Sequence, residues 1–89
     1  MKVIACNLNM FDANHAIYVF DDETGDSNYI GFSDLDNLPK IINQFCQDQE
    51  IYEVHLFGGG NFAKEIANEI ITLNKTEYAD KKEIIVEVN

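Results

Sequence analysis

Apolar and polar positions change period several times along this chain, and each change marks an element. KVIACNLNMF (2–11) is apolar at successive positions and then alternates, with Asn7 and Asn9 falling between Cys6, Leu8 and Met10. A strand covered on both faces at its start has this pattern. DANH (12–15) is a turn cluster, and AIYVF (16–20) reads as a second strand. DDETGDSN (21–28) is a polar hairpin loop in which Gly25 can take a positive φ, and YIGF (29–32) is a short third strand. Ser33 or Asn37 can then cap a helix with Pro39 in its first turn and Leu38, Ile41, Ile42 and Phe45 as its apolar stripe. IYEVHLF (51–57) is apolar enough for a central strand, while Glu53 and His55 alternate outward. Beyond Gly58-Gly59-Gly60 a second amphipathic helix carries Phe62, Ala63, Ile66, Ala67, Ile70 and Leu73 on one stripe. NKTEYADKK (74–82) is a loop or a frayed helix end, and EIIVEV (83–88) is a fifth strand.

The order β-β-β-α-β-α-β, in one domain over residues 1–89, predicts an α/β fold with a five-stranded mixed sheet. Two antiparallel hairpins come first and two right-handed crossovers follow. This order resembles the minimal core of the ribonuclease H-like superfamily, here as a single degenerate domain. The resemblance implies a central first strand, strands two and three on one side of it, strands four and five on the other, and helices over the faces. A ferredoxin-like α+β sheet is the alternative, and it requires one of the first three strands to be a loop.

Charge narrows the function. Sixteen acidic residues face six lysines and no arginine, a net charge of -10. Phosphate neutralisation supplies most of the affinity of nucleic-acid binders, so direct nucleic-acid binding is not expected. The surface suits a basic protein partner, or a protein whose DNA groove it fills as a mimic; it also keeps a small domain dispersed. Cys6 and Cys46 each sit among apolar residues, as buried free thiols do. The apolar run at the N-terminus is too short for a signal peptide, no stretch reaches transmembrane length, and the expected location is cytoplasmic.

The chemistry can be tested position by position. Two-metal nucleases of the ribonuclease H-like group hold their cations with carboxylates in the first strand and near the end of the fourth. Two divalent ions a few ångströms apart require several anionic oxygens. Here the first strand carries Asn7 and Asn9, and the fourth ends Leu56-Phe57-Gly58. No enzyme of that kind is expected, nor any cofactor. His15 and His55 lack partners at metal spacing, DDETGD does not complete a calcium loop, and no serine sits at a nucleophile elbow.

VHLFGGGNFAKEIANEI (54–70) also resembles the adenosine-binding segment of the actin, sugar kinase and heat-shock chaperone group of ATPases, an apolar strand followed by a glycine run and a helix. That resemblance implies ligand contacts at Gly58, Gly59, Gly60 and Asn61, with Asn7 and Asn9 beside them. Such a helix N-terminus favours an anion. Those ATPases close the site between two domains and carry glycines after the first strand; this chain has one domain and NLNMFDANHA there. A tight strand-to-helix corner uses glycine for its own sake as well.

Two functions follow. The first is a small, acidic, non-catalytic interaction protein that binds and inhibits or modulates a basic partner, by analogy with proteins that phages and mobile elements direct at host factors. Its acidic face is expected at Asp21, Asp22, Glu23, Asp26, Asp34 and Asp36. The second is a nucleotide or small-anion module at Gly58–Asn61, working as a homodimer because one domain offers half a cleft.

Overall fold

The computed structural model describes residues 2–9, 17–21, 23–30 and 37–89, the side chains of residues 29 and 30 excepted. It is an α/β protein with one five-stranded mixed sheet and two helices. The strands are β1 (Lys2–Asn7), β2 (Ile17–Asp21), β3 (Ser27–Ile30), β4 (Glu53–Phe57) and β5 (Ile85–Val88), in the spatial order β3-β2-β1-β4-β5. All three N-terminal strands enter the sheet, which a ferredoxin-like arrangement required one of them not to do. β1 is central, antiparallel to β2 and parallel to β4; β5 is parallel to β4 at one edge, and β3 is antiparallel to β2 at the other.

The side-chain period of two divides each strand between two environments. Ile4, Cys6, Val54 and Leu56 are fully buried, and Ile17 nearly so. They form one cluster with Leu38, Ile42 and Cys46 of helix α1 (Leu38–Gln49) and Ala63, Ile66 and Ile70 of helix α2 (Asn61–Lys75). Both helices therefore cover the same face. Side-chain burial across this cluster, at about 1.5–3 kcal/mol for each large aliphatic residue, is the main stabilising term. Val3 and Ala5, expected under a second covering layer, point the other way, and among the described residues no helix lies over them. Phe62, expected on the α2 stripe, is 38 % exposed, and the buried stripe of the helix begins at Ala63.

Two buried asparagines tie α1 to α2 and α2 to the segment entering β5. Asn43 Nδ2 donates to the Pro39 carbonyl (2.9 Å) and across to the Ile70 carbonyl of α2 (3.1 Å). Asn74, at the end of α2, accepts the Ile84 N–H on Oδ1 (3.0 Å) and donates from Nδ2 to the Lys82 carbonyl (3.2 Å). Ile85 N–H turns inward to Tyr52 O of the segment leading into β4, so Ile84 N–H faces the outer edge. Asn74 thus covers part of an edge that would otherwise be unpaired. α1 ends at Glu50, which takes a left-handed conformation (φ 56°), and Ile51 N–H closes back on the Cys46 carbonyl (3.0 Å) before burying its side chain.

Candidate functional site

Three places bear on function: the glycine corner, the acidic hairpin and the sheet face turned away from both helices.

At the glycine corner the sequence-predicted ligand residues do meet. β1 and β4 run parallel, with Asn7 opposite Phe57, so the turn after β1 meets the turn after β4. Leu8 N–H bonds Phe57 O (2.8 Å), and Asn7 Oδ1 accepts the Asn9 N–H (3.0 Å). Asn9 lies against the glycines, its Oδ1 3.4 Å from Gly59 N. Gly58 and Gly59 have φ near +75° and +76°, a region that costs an L-residue about 1–2 kcal/mol. A Cβ on Gly58 would run into the Asn9 carboxamide, and one on Gly59 would lie 2.9 Å from Leu8 Cδ1. The glycines thus admit the neighbouring turn of the same chain, and the space beside these two is already filled. Gly60 and Asn61 follow, opening α2.

The hairpin acids stand at the opposite end of the sheet, because Asp21 pairs with Lys2 at the start of β1. Asp21 closes the hairpin, its N–H bonding Asp26 O (2.9 Å) and its carbonyl accepting Gly25 N–H (2.8 Å). Its Oδ1 accepts the Glu23 N–H (3.0 Å). Glu23 and Asp26 are exposed. Asp22, Asp34 and Asp36 lie outside the described residues, as do His15, Ser33 and the DANH segment.

The sheet face turned away from both helices, where Val3 is 9 % exposed, was not anticipated. Val3 and Ala5 form the floor of a depression of about 550 Å³ running along β1. Tyr18 and Phe20 of β2 stand on one side; Glu53, His55 and Phe57 of β4 stand on the other. Cross-strand register makes this relief: Phe20 is opposite Val3, and Tyr18 and His55 flank Ala5. The groove is therefore a small-residue strand between two strands of rings. Phe57 and, on β5, Ile85 are 42 % and 55 % exposed.

His55 is held in place on this face. Its Nε2 is 2.8 Å from Glu53 Oε2, and its Nδ1 is 3.3 Å from Glu87 Oε2 and 3.4 Å from Asn89 Nδ2. The neutral ring with its proton on Nε2 donates to Glu53 and accepts from Asn89; the protonated ring donates to both glutamates. Its ring is stacked with that of Phe57, centroids 6.4 Å apart. The glutamates approach opposite nitrogens and so do not converge. Among the described residues no group of three or more side chains is placed to hold a metal ion.

Both cysteines are fully buried, and burial pushes each thiol up to about 12. No described helix is long and apolar enough to cross a membrane. Comparison with protein-family models, curated proteins and solved structures gives no match to this chain.

Proposed function

We propose that this chain is a small, acidic, non-catalytic interaction domain that binds and modulates a basic protein partner through the sheet face turned away from both helices. One observation carries the reading: an aromatic-walled apolar groove, bordered by Glu53 and Glu87, lies on a molecule of net charge -10. Acidic borders select cationic partners while repelling a second copy of the same chain. His55, the imidazole of this face, is engaged at both nitrogens by Glu53, Glu87 and Asn89, which favours a structural over a catalytic use.

The fold reading that accompanies this is ribonuclease H-like. A central β1, with β2 and β3 on one side and β4 and β5 on the other, supports it. In that frame the positions expected to bear metal carboxylates are neighbours across β1 and β4, and here they carry Asn7 and Phe57. A modulator that keeps a nuclease-like scaffold without its anionic centre is consistent with both.

The test sets the face against the hairpin. Tagged protein is used to retain proteins from a cell extract at about 0.15 M salt, where exposed charges more than about 8 Å apart are largely screened. A basic protein retained by the wild type is expected to be lost by the Phe57→Lys, Glu87→Lys double variant and kept by Glu23→Lys, Asp26→Lys. The reverse pattern would transfer binding to the acidic hairpin, and retention by both variants would end the proposal.

A further inference from the structure

The shape of the sheet face turned away from both helices favours one conformation in a partner. Backbone N–H and C=O groups in a sheet point along the sheet, so they are available at its edges and not on its faces. A single extended segment laid over Val3 and Ala5 would bury its own donors and acceptors with nothing to pair them, a cost of about 1–3 kcal/mol for each orphaned group. A helix satisfies its backbone internally and presents only side chains. The walls belong to β2 and β4, whose backbones are two strand spacings or about 10 Å apart, so the side chains of one helix face, and not its whole cylinder, can seat between the rings. Along the β4 wall, from Glu53 to Phe57, the groove runs about 13 Å, the length of roughly two and a half helical turns.

Charge sets the flank. On the β4–β5 side stand Glu53, 30 % exposed and turned to His55 Nε2, and Glu87, 56 % exposed beside Nδ1. On the β2 side the groove is lined by Tyr18 and Phe20, with Ser27 beyond them on β3. The occupant therefore needs an apolar stripe toward Val3 and Ala5 and cations on one flank.

Resting on the proposed function, we infer that the groove along β1 binds a basic amphipathic helix of the partner, apolar side chains seated between Tyr18/Phe20 and His55/Phe57 and lysines or arginines directed at Glu53 and Glu87. Helix-in-groove recognition of this kind is read as anchors at i, i+3/i+4 and i+7.

Three leucine-based peptides of about 14 residues, short enough to be mostly unfolded when free, test this. The first has leucine and lysine at helical spacing, the second has the same composition in strict alternation, and the third replaces lysine by glutamate at helical spacing. Isotope-labelled protein is titrated with each while peptide helicity is followed by circular dichroism.

The helical lysine peptide is expected to bind saturably, shift the amides of Val3, Ala5, Tyr18, Phe20, His55 and Phe57, and gain helicity on binding. Ala5→Trp, which fills the floor, and Phe57→Lys, on an exposed wall, should each weaken it about tenfold with unchanged thermal midpoints. Equal or better binding of the alternating peptide at these amides would overturn the helix and leave the basic-partner reading standing. Undiminished binding by Ala5→Trp would overturn the groove. Equal binding of the glutamate peptide, no binding of either lysine peptide, or a wild-type dimer that Ala5→Trp dissociates would overturn the reading beneath it.

Discussion

Removing the Asn74 carboxamide should loosen the β5 edge far more than its single side chain suggests. Asn74 is 6 % exposed and Ile84 4 %. In Asn74→Ala the Ile84 N–H, now facing a buried site, has no acceptor, while the Lys82 carbonyl keeps its bond from Gln47 Nε2 (3.1 Å). One orphaned donor costs about 1–3 kcal/mol, and the vacated volume adds a smaller amount. The expected loss is about 3 kcal/mol, a large part of the 5–15 kcal/mol typical of a domain. For a chain of this size that corresponds to a fall of roughly 12–24 °C in thermal midpoint. Asn74→Asp separates the two bonds: its carboxylate still accepts from Ile84 N–H but faces the Lys82 carbonyl without a proton to donate. It should lie between wild type and Asn74→Ala at neutral pH. Chemical denaturation gives the free energies, and hydrogen exchange at Ile84 gives the local effect. An Asn74→Ala protein within about 0.5 kcal/mol of wild type, with the Ile84 amide still protected, would refute the claim that this bond secures the edge.

Two further results are expected. Gly59→Ala should destabilise by about 3 kcal/mol, since it adds left-handed strain to a clash with the buried Leu8, whereas Gly58→Ala should cost about half that because exposed Asn9 can swing away; denaturation midpoints in the opposite order would reject the corner as described. The thiols predict an alkaline limit. With native values near 12 against an ordinary 9.0, Cys6 and Cys46 contribute stability that is fully present below pH 9 and lost as pH rises toward 12. Between pH 9 and 10 the two together should remove about 2 kcal/mol, because the unfolded thiols are only half ionised at pH 9 and the full slope of about 1.4 kcal/mol per group and pH unit is reached above it. Denaturation of wild type and Cys6→Ala, Cys46→Ala at both pH values checks this, because an equal fall in the double variant would acquit the thiols.

The number of strands and helices was legible because their signals are local. The continuous apolar run at AIYVF, the alternation in IYEVHLF and the period-3.6 stripe around Ile66 and Ile70 depend on residues a few positions apart. Boundaries shifted where turn chemistry competes: β3 begins at Ser27, inside the stretch that reads as polar loop, because the hairpin tightens through the Asp21–Asp26 bond. The glycine corner was legible as a place, and the asparagines after β1 do reach it. Its use was not, since only register shows that Asn9 and Leu8 fill the room beside Gly58 and Gly59.

The groove was beyond reach of the sequence for a deeper reason. KVIACN reads as a strand covered on both sides, and in one sense it is: Val3 and Ala5 are as apolar as Ile4 and Cys6. Hydrophobicity reports that a face is to be covered, and says nothing of which layer covers it. By itself the sequence determined the class of fold, the burial of the thiols and the acidic charge, all of which follow from composition and short-range periodicity. Only the tertiary structure decided that both helices pack on one face, that small β1 residues lie between the rings of β2 and β4, and that His55 stands between Glu53 and Glu87. Those are consequences of which strands pair and in what register, and no window along the chain contains them.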